Sequence, residues 1–249
     1  MQTATAIPIH RTYLKTKPNS LNFCSECSQK KFCLSKFMND EELDAFNSVV
    51  KHSKKLNRGN FLYQAGDDFK SIFTVRSGSL KTFIIDEEGR EQILSFSIQG
   101  DVIALDGTTL SSYPTTAQAL ETTYVCEISF ARYMELAAEM PTLYQQLLTQ
   151  MSHQIRDEEE HTLLLGTKSA EQRLATFLIK LSNRYDARGF SKYMLKINMS
   201  RRDIGNYLSA ALETTSRLFS RFQANGLIEV CGKFVEIKDL DALQKLSNQ

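Results

Sequence analysis

Ser200-Arg201-Arg202-Asp203-Ile204-Gly205-Asn206-Tyr207-Leu208-Ser209-Ala210-Ala211-Leu212-Glu213-Thr214-Thr215-Ser216-Arg217 is the stretch on which the fold turns. Ser200, with an acid three residues on at Asp203, is a capping-box pattern and starts a short helix through Leu208. Ser209-Ala210-Ala211 breaks it. A second helix is predicted from Leu212 to Ala224, where Asn225-Gly226 supplies the stop. Two short helices across a three-residue turn, with small residues at their crossing, form a helix-turn-helix. Leu227 to Val230 and Phe234 to Ile237 then flank Cys231-Gly232-Lys233, the pattern of a hairpin wing.

On the second helix Glu213, Ser216 and Arg217 stand at i, i+3 and i+4 and so share one face near the end that enters a major groove. Arg217 is suited to donate two hydrogen bonds to guanine, and Glu213 to accept one from cytosine; each good pairing is worth about 1 to 3 kcal/mol of discrimination. The plainer alternative is a solvent-exposed Glu213–Arg217 ion pair, worth about 0.3 to 0.5 kcal/mol. The capped helix pair and the surrounding charge favour base readout.

Working outward, Ser169-Ala170-Glu171-Gln172 is another capping box, opening a helix to about Tyr185 after a hinge at Gly166-Thr167-Lys168. Residues 130 to 165 carry a long helical pattern, with Pro141 suited to a first turn. Leu148, Met151, Ile155, Glu158, Thr162 and Leu165 repeat at spacings of 3, 4, 3, 4 and 3, the a/d stripe of a coiled coil. Two copies would pair along it; otherwise the stripe packs on its own β domain. From Gly59 to Ser129, glycines punctuate short strand-like runs such as Ser71 to Val75 and Gln92 to Phe96, which implies an antiparallel double-sheet jelly roll. Asn39 caps a short helix carrying Leu43, Phe46 and Val50.

The chain has 249 residues and a formal net charge of +1. That excludes a uniformly basic sleeve for nucleic acid, but residues 1 to 58 carry +5, 59 to 165 carry −10, and 166 to 249 carry +6. Phosphate is drawn to the last block and repelled by the middle one, so DNA contact belongs to the C-terminal third. No stretch is long and apolar enough to cross a bilayer, and Met1 to Ser20 lacks the apolar block of a secretion signal, so no membrane role and a cytoplasmic location are expected. In a reducing compartment the five cysteines are better read as ligands or redox groups than as disulfides.

Cys24, Cys27 and Cys33 are spaced C-x2-C-x5-C, and Cys126 lies in a strand-like run far along the chain. Four such thiolates suit a tetrahedral zinc or an iron-sulfur cluster, and spacing does not choose between them. Cys126 alone would read as a small buried hydrophobe. The four histidines, His10, His52, His153 and His161, form no ligand-spaced pair, and no phosphate loop, nucleophile elbow or carboxylate dyad marks an enzyme.

With this cysteine spacing, and with Ala117-Gln118-Ala119-Leu120-Glu121-Thr122, Gly205-Asn206-Tyr207-Leu208 and Glu213-Thr214-Thr215-Ser216-Arg217-Leu218, the chain resembles the fumarate-and-nitrate-reduction (Fnr) type of oxygen-sensing regulator in the Crp-Fnr superfamily. The resemblance implies one four-iron four-sulfur cluster, [4Fe-4S], per subunit, held by Cys24, Cys27, Cys33 and Cys126, with Cys231 outside the set. It implies Glu213, Ser216 and Arg217 reading TTGAT-like half-sites of palindromic double-stranded DNA. It also implies a homodimer, mainly an activator, that forms when the cluster is intact and is released by oxygen. RNA polymerase would be touched by a loop such as 86–90 or 106–109.

The expected architecture is α+β: an N-terminal cluster-ligand segment (1–38), a cyclic-nucleotide-binding-like β-roll (39–129), a dimerisation helix region (130–165) and a winged helix-turn-helix (166–249). On the pairing stripe, Glu158 beside Asp157, Glu159 and Glu160 brings like charges together, so the cluster-free dimer is expected to be weak.

Three departures from the family pattern stand out. No arginine lies between Arg90 and Cys126 to hold a cyclic phosphate, so no cyclic nucleotide is expected. Ala211 replaces the usual threonine cap of the second helix, with Ser209 in place of glycine. Lys31 and Phe32 crowd Cys33.

Overall fold

The structure is a computed structural model that describes residues 24–28 and 30–248; the Met1 to Ser20 reading lies outside these. A 3-10 turn, Cys24–Glu26, precedes helix α1, Asp40–Val49, whose N-cap Asn39 exchanges hydrogen bonds with Glu42. The β-roll follows as two antiparallel four-stranded sheets. One runs β1 (Val50–Leu56), β8 (Thr123–Ser129), β3 (Ser71–Ser77), β6 (Val102–Ile103); the other runs β2 (Phe61–Tyr63), β7 (Thr116–Ala119), β4 (Ser79–Ile85), β5 (Glu91–Ile98). Leu56, Tyr63, Phe73, Val75, Leu80, Tyr113 and Val125 fill the space between them.

The expected jelly roll is present, and it begins before the Gly59 to Ser129 stretch from which it was read. β1 lies before Gly59, in a lysine-rich run that reads as polar because it forms an outer strand, where lysines discourage pairing with another chain.

Helix α2, Phe130–Glu139, and helix α3, Pro141–Thr167, come next, with Pro141 at the first turn of α3. The hinge is shorter than expected: Gly166 and Thr167 complete α3, and the chain turns only at Lys168 before Ser169 caps helix α4, Ala170–Ala187, through a capping box with Gln172. Arg173 closes the corner, donating to the backbone carbonyls of Leu165, Lys168 and Leu208.

The C-terminal domain has strand β9 (Met194–Lys196), helix α5 (Arg201–Tyr207), helix α6 (Leu212–Ala224), the wing strands β10 (Ile228–Cys231) and β11 (Phe234–Ile237), and helix α7 (Leu240–Asn248). Ser200 and Asp203 form the anticipated box. Strand β9, which makes the wing hairpin a three-stranded sheet, and helix α7 were not anticipated; Leu243 of α7 joins the domain core.

The wing domain is not a separate bead. Phe83, Ile93, Phe96 and Leu120 of the β-roll share one buried cluster with Leu174, Phe177, Leu178, Ile204 and Phe222. Three polar clasps rim this junction. Arg184 and Arg188 of α4 both pair with Asp101, Lys196 and Asn198 reach Glu121, and Lys81 bridges Glu91 and Asp203.

Within the domain, α5 and α6 cross at Gly205, where a Cβ would sit 2.7 Å from the Ala210 carbonyl oxygen and 2.8 Å from Thr215 Oγ1. Both neighbours are held, the first by the turn and the second by its bond to the Ala211 carbonyl. Gly205→Ala is therefore expected to destabilise the fold by about 1 to 3 kcal/mol. Urea unfolding should show a lower midpoint at unchanged slope, and an unchanged midpoint would mean that the crossing has slack.

Candidate functional site

Cysteines of the N-terminal loop and of strand β8, about a hundred positions apart, meet at one apolar cluster against the β-roll. Cys24 is buried in its 3-10 turn, which is tied to α1 by a hydrogen bond from its N–H to Asn47 Oδ1 (3.2 Å). Cys33 Sγ donates to Thr74 Oγ1 (3.5 Å), and Thr74 on β3 stands directly opposite Cys126 on β8. Cross-strand partners point to the same face, so Cys33 and Cys126 are brought to one side of the sheet. Cys24, Cys33 and Cys126 all join the apolar cluster of Leu34, Phe46, Ile72 and Tyr133.

Burial pushes the Cys24 thiol up to about 12, and Cys33, Cys126 and Cys27 push the same way, with Arg76 opposing. Cys33 also helps burial to raise the Tyr133 hydroxyl. Cys27 closes the same turn, its N–H donating to the Cys24 carbonyl (3.2 Å), whereas Cys231 is exposed at the end of β10 in the other domain. None of the five is in a disulfide. Among the described residues no three His, Cys, Asp or Glu side chains form a ready-made group for a single metal ion. A lone zinc would draw its sulfurs to within about 4 Å of one another, whereas a cluster spreads its thiolates over several irons. The donor set, four sulfurs in an apolar setting, fits the chemistry of either.

The crowding expected at Cys33 takes a different form. Phe32 lies under the Arg188 guanidinium (4.9 Å to the ring centre), so the cysteine loop touches the DNA-binding domain. Arg188 in turn donates to the Gln99 carbonyl and to Asp101, each at 2.6 Å. Burial lowers the Arg188 pKa and Asp101 opposes the shift, so the guanidinium depends on this carboxylate. Neither Arg188 nor Asp101 was singled out from the sequence, because their partners lie on a different domain.

The second helix presents its groove face to solvent. Glu213 and Arg217 side chains are 82% and 72% exposed and stand 4.0 Å apart, too far for a tight pair, which leaves both available to base edges. Ser216 sits between them, half-buried. Leu212, which the sequence reading used only as the helix start, is an exposed apolar group beside Glu213, chemically suited to a thymine methyl. Ala211 makes no side-chain cap, and Ser209 takes the left-handed conformation (φ 49°) that glycine would adopt without strain. Arg201, half-buried over the Phe219 ring at 3.4 Å, braces α6 from behind.

On α3, the packed side carries Leu143, Gln146, Leu147, His161 and Leu164, and His161 stacks flat on Tyr207 of α5 (4.0 Å, 9°). The seam residues Leu148 and Ile155 are exposed at 50% and 58%, and Glu158 and Thr162 are also exposed. Met151 and Leu165 are half-buried, Met151 against the cluster around Cys24. Most of the stripe is therefore left uncovered by its own chain.

Comparison with known proteins agrees with this architecture. A cyclic nucleotide-binding domain model matches residues 53–140, and a Crp-like helix-turn-helix domain model matches residues 172–246. The transcriptional activator protein Anr of Pseudomonas protegens is 46% identical over 226 residues, covering 91% of this chain and 93% of that protein. The fumarate and nitrate reduction regulatory protein of Escherichia coli is 42% identical over 224 residues, covering 90% of each. Among solved structures, FixK2 of Bradyrhizobium japonicum superposes with a TM-score of 0.73 at 28% identity, covering 80% of this chain and 97% of that one. No helix among the described residues is long and apolar enough to cross a membrane. By its relatives and its domains, the chain belongs to the Fnr type of the Crp-Fnr family and is a DNA-binding transcription regulator, not an enzyme.

Proposed function

We propose that this regulator is a cytoplasmic homodimer, mainly an activator of anaerobic genes, which senses oxygen through one [4Fe-4S] cluster per subunit held by Cys24, Cys27, Cys33 and Cys126. The observation that carries the reading is that Cys24, Cys33 and Cys126 share one apolar cluster, with Cys27 bonded through its N–H to the Cys24 carbonyl. When bound, the cluster supplies an oxygen-labile centre.

The chain's own residues supply the rest. Cys24 resists ionisation because burial and three neighbouring thiols penalise its anion, and a cationic centre is what allows it to charge near neutrality. Cys126 sits on β8, between β1 and β3 in the middle of its sheet, so ligation there pins the loop to a rigid strand. Strand β8 leads directly into α2 and α3, and Met151 of α3 packs on the same apolar cluster as Cys24.

Along α3, Leu148, Met151, Ile155, Glu158, Thr162 and Leu165 form the homodimer seam. Glu160 is paired with Lys180 (2.6 Å) and Asp157 lies toward Tyr207 of its own chain, but Glu158 stands exposed on the seam and would meet its counterpart across the axis. That repulsion weakens the cluster-free dimer.

The dimer reads TTGAT-like half-sites of palindromic double-stranded DNA through Glu213, Ser216 and Arg217. No cyclic nucleotide is bound: in the segment where relatives hold a phosphate, Thr115 donates to the Asp106 carboxylate (2.8 Å), and stacked Tyr63 and Tyr113 occupy the roll interior. The exposed 86–90 turn, organised by Asp86 accepting from Glu88 and Arg90, is a candidate contact for RNA polymerase, as is the 106–109 loop.

Protein purified without oxygen should show a broad thiolate-to-iron absorption and about four iron and four sulfide per chain. Air should bleach the colour and abolish DNA binding together. Cys126→Ser should abolish anaerobic reporter activation, and a colourless protein holding zinc, or activation surviving in the variant, would refute the sensor.

Arg217→Ala should cost about 1 to 3 kcal/mol of discrimination at one position of each half-site, read as a relaxed binding-site profile; an unchanged profile would remove that base contact. Glu158→Ala should dimerise without cluster, and a monomer by ultracentrifugation would remove the charge from the switch.

A further inference from the structure

The Gly205-Asn206-Tyr207-Leu208 stretch holds a residue that base recognition does not use. Strand β5 is the outer strand of its sheet, and an outer strand leaves backbone groups without a partner strand. Asn206, projecting from α5, fills that role. Its Oδ1 accepts from the Ile93 N–H at 2.6 Å, its Nδ2 donates to the Glu91 carbonyl at 2.6 Å, and its own carbonyl accepts from Gln92 Nε2 at 3.3 Å. A side-chain carboxamide carries the donor and acceptor of one peptide group, so it pairs β5 as a one-residue strand. Asp203, one turn earlier on α5, adds the Lys81 Nζ contact (3.4 Å).

One helical turn thus meets three bodies. Asn206 holds the β-roll, Tyr207 stacks on His161 of α3, and Gly205 sets the crossing with α6. Because α5 and α6 are packed without slack at Gly205, whatever orients α5 also orients the recognition helix. The connection from α3 is the turn at Lys168, which by itself leaves that orientation open.

We propose that Asn206 is a positioning residue that sets the angle of the recognition helix against the α3 and β-roll unit, and so determines which spacing between half-sites the regulator accepts. This rests on the reading of the chain as a homodimer on palindromic DNA. Two recognition helices reach successive turns of one groove only if each is held at a fixed angle to the dimer axis, so half-site spacing reports that angle. The Asp101–Arg184/Arg188 and Glu121–Lys196 clasps grip the end of α4 and β9 but not α5, so they keep the domain attached when Asn206 is changed and the loss is in the angle of α5.

The test uses full-length protein prepared without oxygen and duplexes whose two TTGAT half-sites stand at the preferred spacing or with two base pairs inserted or removed. Wild type should prefer one spacing. Asn206→Leu, similar in size but unable to pair, should bind the preferred duplex on the order of ten-fold more weakly. It should bind the altered duplexes as well as wild type or better, with base preference within each half-site unchanged. Asn206→Asp keeps the acceptor for Ile93 and loses the donor to Glu91, and should fall between the two if the leucine variant does not fold. Hydrogen exchange at the Ile93 amide reports the broken bond directly.

Accelerated exchange with spacing preference intact would overturn the assignment. Loss of all binding, including base preference, in both variants would overturn it in favour of a purely structural role. A wild type indifferent to spacing would instead refute the homodimer reading and the inference with it.

Discussion

One face of the β2-β7-β4-β5 sheet is apolar where solvent would otherwise meet it, and the C-terminal domain is built to cover it. Phe83, Ile93 and Phe96 are buried only because Phe177, Leu178 and Tyr207 lie across them. Removal of this much aromatic surface from water is the largest non-directional force at the junction. The polar clasps around it supply direction. Asp101, Glu121 and Lys81 each face a partner of opposite charge on the other domain and Asn206 pairs the edge of β5 beside them, so together these groups bring the domains into one register.

From that register follows the geometry of both functional ends. The recognition helix faces outward with Glu213 and Arg217 solvent-exposed, while the opposite face of α6 supplies Leu218, Phe219 and Phe222 to the core. At the other end, α3 splits its circumference. Leu143, Leu147 and Leu164 pack inward, and Leu148 and Ile155 are left exposed. The cysteine loop lies where the two ends meet, since its neighbours include α1, β3, β8 and, through Phe32 and Arg188, the end of α4. A change in that loop therefore has short physical paths to both the pairing helix and the DNA-binding domain.

Much of this was legible in the chain because it rests on local chemistry. The capping boxes at Ser169 and Ser200 are bonds between residues three apart and form as written, and the cap read at Asn39 is completed by Glu42 into a third box. The jelly roll shows through its glycine turns, and the helix-turn-helix through its caps and small crossing residues. Local reading failed where context overrides pattern. Lysine-rich β1 is a strand because β8 pairs with it, β9 because β11 does, and Gly166 stays helical because α3 is braced beyond it by Arg173.

The sequence by itself determined most of the kinds of elements and which residues stand on the outward face of α6, since each depends on spacing within a segment or on residue chemistry. Only the tertiary structure decided that Cys33 and Cys126 share one side of a sheet, that Phe32 reaches Arg188, and that Asn206 pairs the edge of β5. Those contacts join residues up to about 150 positions apart, and no periodicity along a chain encodes a partner at that distance. They exist because burial of the shared apolar face brings the domains together first, and the polar groups at its rim then find one arrangement in which all are satisfied.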